Sequence, residues 1–146
     1  MALTIMDFNM IGPVLALALS VIGAAIGCGL AGMVSHGVIS RCEEGHGKLI
    51  GLSAVPASQL IYGFILMLLL KDSILNGTTS PISGIFIGLA CGAGIMVAAI
   101  YQGSCCCTAI MAIVKQPNVF GKTLVAIAIV ESFALFDVVF ALLLIK

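Results

Sequence analysis

The chain has 146 residues, 62% of them hydrophobic and 8% charged, with six basic and six acidic side chains and no net charge. A soluble domain carries about 25% charged residues, and no soluble fold of this size can hide so much apolar surface. The composition therefore excludes a soluble protein, and the charge balance gives no footprint for nucleic acid; it points to one compact, all-α membrane unit.

A helix that crosses a bilayer takes about 20 apolar residues. Residues 8–40, 49–70 and 73–114 contain no Asp, Glu, Lys or Arg, and 123–145 contain only Glu131 and Asp137. Four transmembrane helices are predicted, over about 11–40, 48–70, 84–114 and 122–145. The start, MALTIMDFNM, has no Lys or Arg and carries Asp7, unlike the basic start of a cleavable signal. The first helix is expected to stay.

Three loops join the helices. RCEEGHGK (41–48) holds Arg41 and Lys48, KQPNVFGK (115–122) holds Lys115 and Lys122, and KDSILNGTTSPISG (71–84) holds only Lys71. Basic residues favour the cytoplasmic side. The two short loops are expected there, with both termini outside the cell membrane, although Lys146 counts slightly against it. The cysteines, including the run Cys105, Cys106, Cys107, read as small packing residues: neighbours on a helix point in different directions and cannot close a four-ligand site alone.

Shifted by 74 positions, the sequence partly matches itself without gaps. Ile11 falls on Ile85, Ala25-Ile26 on Ala99-Ile100, Gly47-Lys48 on Gly121-Lys122, and Leu68 to Leu70 on Leu142 to Leu144. Two tandem helical hairpins follow, residues 1–74 and 75–146, both running in the same sense. Alternating-access transporters usually have inverted repeats, whereas parallel hairpins suit a rotationally repeated, ring-forming assembly. The first and third helices are rich in Gly, Ala and Ser, which lets backbones approach closely in lipid. The second and fourth carry the larger side chains, as an outer circle facing membrane lipid would.

A carboxylate at mid-membrane costs at least ~2.5 kcal/mol on insertion scales, and its default reading is an ion pathway. Glu131 has company. Val55, Ser58, Gln59 and Tyr62 are spaced three or four apart and share a helix face. Counted from the loop lysines, Glu131, Gln59 and Gln102 lie nine, eleven and thirteen residues deep, or about 14, 17 and 20 Å at the α-helical rise. Pro56 lacks the N–H that would bond the Leu52 carbonyl, and a carbonyl freed in this way can become a cation ligand. At the 74-residue offset Ala57 falls opposite Glu131, so one carboxylate position serves four helices.

The motifs PASQLIYG, YQGS and VESFAL, the last following the KQPNVFGK loop, resemble the four-helix proteolipid, or K subunit, of bacterial V-type (V/A-type) ATPases, the building block of the membrane rotor ring. The resemblance covers nearly the whole chain. It implies that Glu131 is the carboxylate that carries the transported ion. For the sodium type it implies further ligands in the Ser58 hydroxyl, the Gln59 and Gln102 amides and the Val55 carbonyl, with Tyr62 beside them. The cargo is then Na+ or H+, with no covalent cofactor. The partners implied are further copies of the chain in a ring, a stator subunit bearing an arginine, and a central stalk subunit at loops 41–48 and 115–122. Asp137 departs from the family pattern, which has a small residue there, as Gly63 is in the first half. It lies six residues past Glu131 on a different face, fit either to line an exit path or to serve as a local structural carboxyl.

Catalysis of ATP hydrolysis is not expected in this chain. GKT at 121–123 lacks the first glycine of a phosphate-binding loop, since Gln116 stands in its place. Two other classes compete. A small proton-coupled multidrug exporter also has four helices, but it carries its glutamate in the first helix and usually a Trp in the site; here the first helix has no acid and the chain no Trp. A structural pore-forming proteolipid would leave Glu131 incidental.

Overall fold

A computed structural model describes the backbone of residues 2–145 and the side chains of residues 8–145. Five α-helices follow one another: α1 (Ala2–Ile39), α2 (His46–Ala54), α3 (Ser58–Leu75), α4 (Pro81–Lys115) and α5 (Phe120–Leu144). A 3-10 turn, Val55–Ala57, joins α2 to α3, so that the two form one span, and a second, Pro117–Val119, leads into α5. Four spans are long and apolar enough to cross a membrane: Phe8–Ile39, His46–Leu75, Pro81–Lys115 and Pro117–Leu144.

The spans outrun the predicted ones, mostly at the end bearing the turn between α3 and α4. There α3 continues to Leu75 and α4 starts at Pro81, so the expected loop 71–84 shrinks to a few residues. Polar groups make this possible. Gly77 takes φ 75°, a left-handed turn that glycine adopts without a side-chain clash. The N–H groups of Thr78 and Thr79 both donate to the Ser73 carbonyl. Ser80 caps α4 by accepting from the N–H of Ser83 at 3.2 Å, with Pro81 following at a position where a missing N–H costs nothing.

The two helices richest in small residues, α1 and α4, pack most extensively against each other. A methyl group at Gly12 would strike the backbone of Gly84, one at Gly88 the backbone of Gly12, one at Gly23 the backbone of Met96, and one at Gly27 the carbonyl of Ala99. Contact positions ascend together along both helices, so α1 and α4 run parallel. This is the sense required by tandem, uninverted hairpins. Among the described residues α5 packs on α4 and α3 but not on α1. The small-residue helices thus form an inner pair, and α3 and α5 flank it. Large side chains such as Ile61, Phe64 and Leu143 lie exposed, as a face toward lipid requires.

Two apolar clusters fill the interior. One gathers Leu66, Leu70, Ile95, Ala134 and Val138. The other gathers Leu49, Leu52, Cys106, Ile110 and Ile127 toward the turns at 40–45 and 116. In sequence order the α2–α3 span, α4 and α5 each pass from one cluster to the other, with Gln59, Gln102 and Glu131 between them.

Candidate functional site

The break between α2 and α3 sets the position of the site. Pro56 cannot donate to the carbonyl of Leu52. The expectation that this carbonyl stays free is corrected: the chain tightens into the 3-10 turn, and the Val55 N–H donates to Leu52 O. The Ser58 N–H in turn donates to the carbonyls of Val55 and Pro56. The Val55 carbonyl thus accepts from the Ser58 N–H, and a carbonyl oxygen has two lone pairs. The buried Pro56 ring is seated against Gly27, where α1 and α4 are also at close approach. Any side chain at Gly27 would push the broken span outward and carry Ser58 and Gln59 with it.

From α3, Gln59 reaches α4: its Nε2 donates to Oε1 of Gln102 at 2.9 Å, and both residues are fully buried. One turn further along α3, the Tyr62 hydroxyl donates to Oε1 of Glu131 on α5 at 3.4 Å. Three helices are thereby tied together at one level by two side-chain pairs. Ser58 lies at the same level with its hydroxyl buried. All six residues singled out in the sequence (Val55, Ser58, Gln59, Tyr62, Gln102 and Glu131) fall on this layer or on the turn that feeds it.

Some polar atoms here have no hydrogen-bond partner among the described residues: Ser58 Oγ, Gln59 Oε1 and Gln102 Nε2, all buried. An unpartnered buried polar atom costs about 1–3 kcal/mol. Turning both amides over preserves their mutual hydrogen bond and exchanges their roles. In either arrangement one amide oxygen is uncommitted and the other accepts. The layer thus offers carboxylate oxygens, one free amide oxygen, one free hydroxyl and two shared carbonyl-type oxygens. That is the all-oxygen donor set a hard cation takes. Among the described residues no group of three His, Cys, Asp or Glu side chains could form a transition-metal site.

Sequence reasoning missed the environment of Asp137. Its carboxylate lies against Gly94 of α4, where a methyl group would strike it. The signal was present in the repeat: at the 74-residue offset Gly94 falls on Ser20 and Asp137 on Gly63.

This arrangement of two hairpins with a single carboxylate between apolar layers defines a class. The family model for the ATP synthase C subunit matches the chain twice, over residues 11–70 and 85–144. The chain belongs to this ATP synthase C-subunit family, with two copies of the family unit in tandem, and it is a multi-pass membrane protein. It is similar to the A-type ATP synthase subunit K of Methanocaldococcus jannaschii, at 31% identity over 92% of this chain. It is also similar to the V-type sodium ATPase subunit K of Enterococcus hirae, at 27% identity over 96% of this chain. The matched region spans 60% of the archaeal relative's length and 91% of the enterococcal one's. The starts of the two family matches lie 74 residues apart, as do their ends.

Proposed function

We propose that this chain is the rotor-ring proteolipid of a V/A-type ATPase, and that it carries Na+, or H+, through the cell membrane on Glu131. The observation that carries the reading is the polar layer: Gln59, Gln102, Tyr62 and Glu131 joined across three helices, with an uncommitted amide oxygen, between two apolar clusters. An ionised carboxylate at mid-membrane is costly. A bound cation cancels its charge, and Ser58, Gln59, Gln102 and the Val55 carbonyl supply the remaining oxygens. The filled site then travels through lipid; the emptied one needs a positive partner, supplied by an arginine of a stator subunit.

In this reading the halves are residues 1–74 and 75–146, each a hairpin, and the repeated family match supports the division. Loops 41–48 and 115–122 lie on the cytoplasmic side, where a central stalk subunit docks, and the termini lie outside. Lys48 Nζ stands 5.4 Å from the centre of the Phe120 ring, a cation–π contact that ties the start of the second span to that of the fourth at this end. The energy is supplied by ATP hydrolysis in partner subunits. Sodium is favoured over the proton by the oxygen donors around Glu131, since a proton needs only the carboxylate, and by the similarity to a sodium ATPase subunit.

Replacing Glu131 by Gln tests the proposal. ATP-driven ion uptake by reconstituted complexes should disappear while the ring still assembles. Undiminished uptake would defeat the reading and favour a structural proteolipid.

A further inference from the structure

The chain carries a second membrane carboxyl that the ion cage does not use. Asp137 faces away from the cage, into a groove of about 890 Å³ between α4 and α5 lined by Gly94, Val97, Tyr101, Phe133, Phe136 and Phe140. Both hairpins hold one polar group at this crossing, on opposite helices. In the first, Ser20 of α1 presses on Gly63 of α3, and its hydroxyl is satisfied by the Ala16 carbonyl at 2.8 Å. In the second, the polar group has moved to α5 and the glycine to α4, so that Asp137 presses on Gly94. Gly94 makes the notch that admits the carboxylate. Unlike the Ser20 hydroxyl, the carboxylate has no hydrogen-bond or ion-pair partner among the described residues.

Among the described residues of this chain no basic side chain pairs with it. The elements packed against α5 are α3 and α4 with the turn leading into α5. Toward Asp137, α4 presents the thiol of Cys91, with Tyr101 and Cys105 further along the groove. From α3 comes Tyr62, which is held to Glu131; Glu131 itself is on α5. Lys71 of α3 is the nearest basic residue along its helix, eight positions past the equivalent Gly63, or about 12 Å. A second copy docked on the groove has the same chain and brings no Lys or Arg at this depth either. The carboxyl also lacks the four or more extra oxygens a metal cation would need.

We propose that Asp137 is a proton-binding site separate from the Glu131 cage: it holds a proton while in the membrane, and its ligand is the proton alone. Carbodiimide labelling reads this directly, because only the protonated carboxyl transfers its hydrogen to the reagent's nitrogen and adds to its central carbon. The assembled wild-type ring is labelled in saturating sodium, and the Glu131→Gln ring with and without sodium, from about pH 5 to pH 9; fragment ions locate the adduct. An adduct on Asp137 in both rings, insensitive to sodium and declining toward high pH, is expected; Asp137→Asn should abolish it while Glu131 still reacts when sodium is left out. Absence of an Asp137 adduct across that range, or its suppression by sodium, would overturn the proposal.

Discussion

Gln59 and Gln102, 43 residues apart in sequence, share one hydrogen bond of 2.9 Å between two membrane spans and leave Gln59 Oε1 unpartnered. The pair has two roles, to tie α3 to α4 and to offer an oxygen, and substitutions separate them. Gln59→Leu or Gln102→Leu alone strands the other amide, at about 1–3 kcal/mol. The double Leu variant strands neither, so its stability should lie above the sum of the single losses. Its sodium affinity should nevertheless be the lowest of the three, weaker than wild type by at least tenfold, or about 1.4 kcal/mol. Thermal unfolding of the purified ring reports the first quantity and a sodium titration the second. Additive stability losses with unchanged sodium affinity would argue against both roles.

The crossing at Gly27 makes a prediction about packing. A single methyl there meets the Ala99 carbonyl and the Pro56 ring, and overpacking typically costs 1–3 kcal/mol. Gly27→Ala should lower the ring's melting temperature and weaken ion binding together, because the displaced turn carries Ser58 and Gln59. Gly51→Ala is the control: nothing lies near its added methyl, and it should be neutral or slightly stabilising through helix propensity. Equal effects of the two changes would show that the Gly27 contact does not set the site.

The repeat predicts how copies meet in a ring. Within the chain Gly23 of the first half touches Met96 of the second. Moving each by 74 residues gives Val97 against Ile22 of the next copy, and both are about half exposed in the single chain. A photoreactive residue at Val97 should therefore crosslink to the neighbour's α1 near Ile22. Crosslinks found only within one chain would contradict the repeat-based seam. The same shift brings Phe133, Phe136, Cys28 and Ala57 to the seam in place of Gln59, Tyr62, Gln102 and Glu131. The seam between copies is thus an apolar counterpart of the cage, and the polar layer occurs once per chain.

Much of this was legible in the sequence, for identifiable reasons. Charge-free runs mark the spans because lipid tolerates little else, and the 74-residue self-match predicts the parallel course of α1 and α4 seen in the Gly12–Gly88 and Gly27–Ala99 approaches. Depth counting from the lysines placed Gln59, Gln102 and Glu131 at one level, because helical rise is constant. Hydrogen bonding at the break was not legible. Pro56 announces a missing donor, but whether the Leu52 carbonyl stays free depends on the chain tightening to a 3-10 turn, which the Val55 N–H does. Nor could sequence alone show that Gly94 is the notch for Asp137, since that depends on which faces of α4 and α5 meet.

The claim that Glu131 sits in a cation cage is tested most directly by carbodiimide labelling of Glu131 in the assembled ring, as a function of sodium at fixed pH. The adduct at Glu131 should fall as sodium is raised, and the sodium needed for half protection should rise at least tenfold when Gln59 and Gln102 are both Leu. Labelling at Glu131 that responds to pH alone, with no protection by sodium at any concentration, would contradict the cage.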